Sequence, residues 1–98
     1  MLSYCELMLS NLALMCEGFD QGKVSIGKIG RAKAVNTKLA REVCQLAREI
    51  CGGNGIILEN HVMKSLMDIE AVYTYEGTYE VNSLVSGREI TGGLAAFK

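Results

Sequence analysis

The chain has 98 residues, the length of a single domain at the usual size of about 100 to 150 residues. Its apolar content of 49%, charged content of 21% and formal net charge of −1 are typical of a folded globular protein and argue against electrostatic binding to nucleic acid or to an anionic membrane. No uninterrupted apolar run is long enough to span a bilayer, and no basic residue precedes the apolar start as it would in a signal peptide.

The composition predicts an all-α protein. Proline and tryptophan are absent, and aromatic residues make up only 6% of the chain. The cysteines form neither a Cys-x-x-Cys pair nor a cluster with histidine at ligand spacing, so we predict reduced, buried thiols in an intracellular or organellar protein. A zinc site or a disulfide framework is the alternative for the four cysteines, Cys5, Cys16, Cys44 and Cys51.

The first two helices are predicted from apolar residues that recur at steps of three and four. The first helix starts at Leu2 and stops near Gly18, and a polar connection over residues 20–27 follows it. The second helix has the longest apolar stripe, which we predict to be the centre of an antiparallel, up-and-down helical bundle. The predicted core residues are Val35, Leu39, Val43, Leu46 and Ile50.

A glycine-rich segment, residues 51–55, ends the second helix. Glycine and asparagine tolerate positive φ, so a helix C-cap followed by a turn is the simpler interpretation. The alternative is that a backbone without side chains lets a nucleotide cofactor approach the main chain. The segment is neither a Walker loop nor a Rossmann GxGxxG motif, because no Gly-Lys-Ser/Thr follows and the glycines close a helix where they should open one.

Two shorter helices are predicted in the C-terminal half. One runs from about His61 to Ile69, with His61 as a surface or capping residue, because a metal needs more ligands than this histidine and Glu59. We therefore predict no metal site. Thr74 and Thr78 are both candidate helix caps. The last helix carries an apolar face formed by Val81, Leu84, Val85 and Ile90.

The segment Tyr75-Glu76-Gly77 allows two interpretations. As part of a helix cap it needs no chemical role, because an acidic residue near a positive helix end is favourable. As a functional segment, it sets a carboxylate between an aromatic side chain that shields it from water and a glycine that lets a substrate come close. That arrangement suits a general base.

Two motifs in this half of the chain resemble the acyl-CoA dehydrogenase superfamily. Residues 47–56 contain a GGNG turn, and after a short helix residues 74–78 contain a YEGT motif at the matching spacing. The resemblance continues through residues 84–92 and covers the chain from about Ile26 to Lys98. It lies in the C-terminal helical domain of these flavoproteins and looks most like glutaryl-CoA dehydrogenases and plant-type short-chain acyl-CoA oxidases.

The resemblance implies that Glu76 is a catalytic base. In the family this carboxylate removes the pro-R α-proton of an acyl-CoA thioester while the β-hydrogen leaves as hydride to FAD. The backbone N–H of the same residue polarises the thioester carbonyl, as in an oxyanion hole. Tyr75 and Gly77 occupy positions that contact the substrate.

FAD contacts are also implied by the resemblance. Thr78 matches a hydroxyl contact to FAD, and Phe97 matches a terminal aromatic residue beside it. The main chain that passes the FAD of a neighbouring subunit matches Glu49, Ile50, Cys51, Gly52 and Gly53.

The family's enzymes are several times longer, with an N-terminal helical domain and a β-domain that hold the flavin. We therefore expect residues 1–98 to be one C-terminal helical domain, as a fragment or truncated product. The resemblance implies a homotetramer in the full-length family, in the mitochondrial matrix or peroxisome. Uncovered apolar stripes favour self-association. The alternatives are a non-catalytic oligomerisation module and an acyl-CoA oxidase.

Overall fold

The computed structural model describes residues 1–93, which form four α-helices and two short 3₁₀ helices. The α-helices are α1 (Leu2–Asp20), α2 (Ile26–Ile50), α3 (Val62–Thr74) and α4 (Tyr79–Ile90). The 3₁₀ helices, Gly52–Ile56 and Leu58–Asn60, lie between α2 and α3. Residues 1–93 contain no β-strand, and the prediction of an all-α fold is confirmed.

The connection between α1 and α2 is shorter than predicted. α1 continues past Gly18 to Asp20, and the left-handed turn falls at Gly22, where φ is 68°. α2 starts at Ile26 because Ser25 caps it: the Ser25 hydroxyl oxygen accepts a hydrogen bond from the Lys28 N–H at 3.3 Å.

Hydrogen bonds between the helices show that they run antiparallel. Near its start, α2 meets the end of α4, where the Gly27 N–H donates to the Glu89 carboxylate. Six residues further along α2, the Lys33 Nζ atom donates to the carbonyl of Gly77, just before the start of α4.

 As α2 advances from Gly27 to Lys33, the partner position moves back from Glu89 to Gly77, so α2 and α4 are antiparallel. The same reversal relates α2 to α1 and to α3, through the neighbouring pairs Asn11–Asn36, Met15–Ile29, Lys33–Tyr73 and Arg41–Glu70.

α2 packs closely on α4 through small residues. The buried residues of α2 are Gly27, Gly30, Ala34 and Thr37, at helical steps of three and four. A Cβ atom on Gly30 would lie 3.2 Å from the backbone oxygen of Asn82 in α4, so the two backbones nearly touch there. The Thr37 hydroxyl is satisfied within its own helix, because it donates to the Lys33 carbonyl at 2.7 Å.

The predicted core is wrong. Val35, Leu46 and Ile50 are 42%, 38% and 72% exposed, and Leu39 and Val43 are half-buried. Apolar periodicity identified the helix, but α2 turns its small residues to α4 and leaves its large side chains on the flanks. Ala34 is the one buried apolar residue within the described range, so a single copy leaves much apolar surface uncovered.

The prediction that the cysteines are buried is also wrong. Cys16 and Cys51 are exposed, and Cys5 and Cys44 are half-buried. All four are free thiols in the described part of the chain. Partial burial raises the pKa of the Cys44 thiol. Within residues 1–93, no helix has the length and apolar character needed to cross a membrane.

A carboxylate from the end of α4 holds the beginning of α2. The Ser25 hydroxyl donates to one Glu89 oxygen at 2.6 Å, and the Gly27 N–H donates to the other at 2.9 Å. A negative charge is favourable at this helix N-terminus. The hydrogen bond from Ser25, followed by that from Gly27, lowers the pKa of Glu89 below its ordinary value of 4.5.

We expect Ala34→Leu to lower the free energy of unfolding by about 1 to 3 kcal/mol, because the larger side chain overpacks the contact between α2 and α4. Ala71→Leu is the matched control, since Ala71 is exposed on α3. Denaturant unfolding of both variants measures the difference. Equal stability of the two variants would show that the small-residue contact does not limit packing.

The Glu89 contact predicts a specific dependence of stability on pH. Because the folded pKa lies below the unfolded one, its contribution is complete above 4.5 and is lost as the pH falls through the lowered value. Glu89→Gln should therefore destabilise the chain at neutral pH, and its difference in stability from the unmodified chain should shrink as the pH falls below 4.5. Denaturant unfolding across this range, with Glu6→Gln as control, tests this. A difference that does not change with pH would contradict it.

Candidate active site

The turn between α3 and α4 contains the predicted base. Glu76 has a left-handed backbone with φ of 55°, and Gly77 follows with φ of 90°. Thr78 caps α4, since its hydroxyl oxygen accepts from the Val81 N–H at 3.2 Å, and this predicted cap is confirmed. The predicted cap at Thr74 is wrong, because the Thr74 hydroxyl donates to a carbonyl within α3.

Glu76 is exposed and conformationally unusual. A non-glycine residue at positive φ costs of order 1 kcal/mol or more, and such residues cluster at functional sites. Tyr75 is 57% exposed, so the described residues do not supply the shielding from water that the sequence suggested for the carboxylate. The Glu76 N–H donates a hydrogen bond to no group within residues 1–93. Both the carboxylate and the N–H are therefore available to a ligand.

Gly77 is required by the turn itself. Its φ of 90° is a conformation that L side chains rarely adopt. A Cβ atom there would also lie 2.8 Å from the Nδ2 atom of Asn82. That amide donates to the Gly77 carbonyl at 2.7 Å and to the Thr78 carbonyl at 3.1 Å. The glycine thus has a structural reason to be present besides the substrate contact implied by the resemblance.

Lys33 of α2 joins this turn to the rest of the bundle. Its Nζ atom donates to the carbonyls of Tyr73, Tyr75 and Gly77 at 3.3, 2.7 and 2.6 Å. Lys33 is not among the site residues predicted from the sequence. The sequence offers one signal: Lys33 lies three residues after Gly30 and directly before Ala34. A lysine beside buried small residues needs partners for its ammonium group.

Two stacked tyrosines brace the ends of the turn. The rings of Tyr73 and Tyr79 lie 6.1 Å apart with an interplanar angle of 13°. Arg41 lies 4.9 Å from the Tyr73 ring, and Lys38 lies 5.1 Å from the Tyr79 ring. Arg41 also pairs with Glu70, and that hydrogen bond raises the pKa of Arg41. The stacked rings hold the end of α3 beside the beginning of α4, so they fix the distance that the turn between these helices spans.

The glycine-rich segment forms a second exposed surface. α2 ends at Ile50, Cys51 is its C-cap and Gly52 has φ of 56°, so the predicted residue at positive φ is confirmed. A Cβ atom on Gly52 or Gly53 would meet nothing within 4 Å, so the main chain is open to approach. The exposed residues here are Glu49, Ile50, Cys51, Gly52 and Gly53, whereas Gly55 is buried against the end of α2.

One copy of the chain does not bring the two surfaces together. The Glu76 turn lies beside Lys33, whereas Gly52 follows the last residue of α2. Roughly 25 Å of helix separates Lys33 from Ile50 at 1.5 Å per residue. The turn and the glycine-rich segment are therefore separate sites within a single copy.

The remaining predicted site residues are placed as follows. His61 is exposed, and it precedes α3 with φ of 64° and no side-chain cap hydrogen bond. Residues 1–93 contain no group of three or more side chains that could hold a metal ion. Phe97 lies outside the described residues.

The fold and the turn define a class of protein: an antiparallel helical domain that presents a carboxylate between its last two helices. The sequence matches the family model of the acyl-CoA dehydrogenase C-terminal domain over residues 2–91, and the chain belongs to this family. The structure is similar to glutaryl-CoA dehydrogenase from Mycobacterium smegmatis, with a TM-score of 0.86 and 31% sequence identity. The match covers 92% of this chain and 23% of that chain, so this chain spans less than a quarter of that enzyme's length.

We expect Gly52→Ala to lower the free energy of unfolding by about 1 kcal/mol, because alanine is strained at positive φ. Gly53→Ala is the matched control, since Gly53 is equally open but does not have positive φ. Thermal unfolding of the two variants measures the effect. If both variants lose the same stability, the left-handed residue is not what ends α2.

Proposed function

We propose that this chain contributes the proton-abstracting base to an FAD-dependent acyl-CoA dehydrogenase of the glutaryl-CoA or short-chain type. The observation that supports the proposal best is Glu76, an exposed carboxylate in a strained turn of a domain that belongs to this family. The similarity to glutaryl-CoA dehydrogenase favours that substrate type. By the resemblance, the enzyme works in the mitochondrial matrix or the peroxisome.

Glu76 has two roles in the proposed reaction. Its carboxylate takes the α-proton of the thioester, which is a weak acid. Its N–H donates to the thioester carbonyl and stabilises the negative charge that develops there. This N–H is free of partners within the described range, as such a donor must be before substrate binds. FAD, when bound, supplies the acceptor for the β-hydrogen.

The residues assigned to FAD fit that cofactor chemically. The Thr78 oxygen accepts from Val81, which leaves its hydroxyl proton free to donate. The open main chain of Gly52 and Gly53 suits close contact with an uncharged part of the cofactor, because the carboxylate of Glu49 would repel a phosphate nearby. Because the Glu76 turn and the glycine-rich segment lie far apart, the two surfaces would contact two different FAD molecules. One of these would belong to a neighbouring subunit of a homo-oligomer.

A second candidate function is a non-catalytic assembly module. The exposed apolar side chains of α1 favour it, among them Leu2, Leu7, Leu9, Leu12 and Leu14. Such a module would pair with itself or with longer subunits. A purified chain that holds FAD is yellow, so a flavin absorbance spectrum would exclude the non-catalytic module. An oxidase would use the same base and would differ in the access of oxygen to the flavin.

The proposed base is tested in a chimera, in which residues 2–91 replace the matching segment of the Mycobacterium smegmatis enzyme. Glu76→Gln keeps the shape and the backbone donor but removes the base. We expect acyl-CoA to bind and to perturb the flavin spectrum, while flavin reduction slows by about 10² to 10⁴. Stopped-flow absorbance measures the rate.

Glu80→Gln is the control for this experiment, because Glu80 is an exposed carboxylate in the first turn of α4. We expect it to leave flavin reduction unchanged. An undiminished rate in Glu76→Gln would show that another residue is the base and would refute the proposed function of this turn.

A further inference from the structure

Lys33 uses all of its hydrogen-bonding capacity on one turn. An ammonium group has three N–H donors and no acceptor. The three carbonyls that surround the Lys33 Nζ atom are those of Tyr73, Tyr75 and Gly77, at 2.6 to 3.3 Å. Lys33 is half-buried, and it lines an apolar groove with Leu12 and Met15. The structure therefore places a cation at a point where backbone carbonyls on both sides of Glu76 converge.

The bond to Tyr75 determines where the Glu76 N–H points. The Tyr75 carbonyl and the Glu76 N–H belong to the same peptide, and none of the described peptides is cis. In a trans peptide these two groups point in opposite directions. Because the carbonyl faces Lys33 on α2, the N–H faces away from α2, towards the open side of the turn.

Asn82 does not duplicate this contact. Its amide donates to the carbonyls of Gly77 and Thr78, which follow Glu76 in the chain. Among the described side chains, only Lys33 donates to the carbonyl of Tyr75. Loss of Lys33 would leave the Tyr75–Glu76 peptide free to rotate while Asn82 still held the beginning of α4.

We propose that Lys33 is a positioning residue, which orients the Glu76 N–H as the hydrogen-bond donor to the thioester carbonyl. The inference rests on the proposed function, in which Glu76 is the base. Lys33 touches neither the substrate nor the cofactor in this role. It acts through the backbone, by keeping the donor in place before substrate binds, so that the donor need not reorganise during the reaction.

The first experiment uses the 98-residue chain alone and compares Lys33→Met with Lys28→Met. Methionine keeps an unbranched apolar side chain but removes the donors, and Lys28 is an exposed lysine on the same helix. We expect Lys33→Met to move the backbone chemical shifts of residues 75–77 away from those of a left-handed turn and Lys28→Met to leave them unchanged. An unchanged turn in folded Lys33→Met would overturn the proposal.

The second experiment measures steady-state kinetics in the chimera. We expect Lys33→Met to lower kcat by about 10², with little change in KM, because a misplaced donor weakens stabilisation of the transition state more than substrate binding. Lys33→Arg, which retains N–H donors, should recover part of the loss. A kcat within twofold of Lys28→Met, or no recovery with arginine, would overturn the inference; twofold is about 0.4 kcal/mol.

A substitute variant and a comparison with Glu76→Gln separate the possible outcomes. If Lys33→Met does not fold, Lys33→Gln replaces it, because glutamine keeps two N–H donors but is too short to reach all three carbonyls. If Glu76→Gln is inactive while Lys33→Met is fully active, only the positioning role fails. If Glu76→Gln is fully active, the proposed function fails, whatever Lys33→Met shows.

Discussion

The close approach of α2 to α4 is the constraint on which the candidate site depends. It is possible because α2 presents the small residues Gly27, Gly30 and Ala34 to its neighbour. A Cβ atom on Gly27 would lie 2.5 Å from the Glu89 carboxylate, so a larger residue would displace that contact. The same closeness brings the Lys33 ammonium within hydrogen-bonding distance of the turn that contains Glu76. Packing by small residues thus positions the polar groups of the site.

Much of the fold was predictable from the sequence, because helices leave a periodic signal. The four helices, the glycine stop after Ile50 and the cap at Thr78 all follow from residue type and spacing. The core was not predictable in the same way. The apolar stripe of α2 predicts a buried face formed by large side chains, whereas glycine, alanine and threonine form that face. Periodicity identifies a face of a helix, but the neighbour that packs on it decides whether it is buried.

The candidate site was predictable only in part, for a related reason. Glu76 was identified because its motif resembles a family, and its left-handed backbone was not foreseen. Lys33 was missed because its partners are backbone carbonyls, which every residue has, so only its position beside the small residues of α2 could have indicated it. The stacked tyrosines were missed because they meet only after α3 and α4 have come together.

On the proposed function, the described residues supply one side of a site. They hold a carboxylate and an unpaired N–H in a braced turn, but they leave both facing solvent. A weak carbon acid needs a site that excludes water, since water weakens every electrostatic interaction that stabilises the developing charge. The cover must therefore come from outside residues 1–93. The glycine-rich surface of the same copy lies roughly 25 Å along α2 from the turn, so it cannot cover Glu76. The corresponding surface of a second copy is one source of that cover.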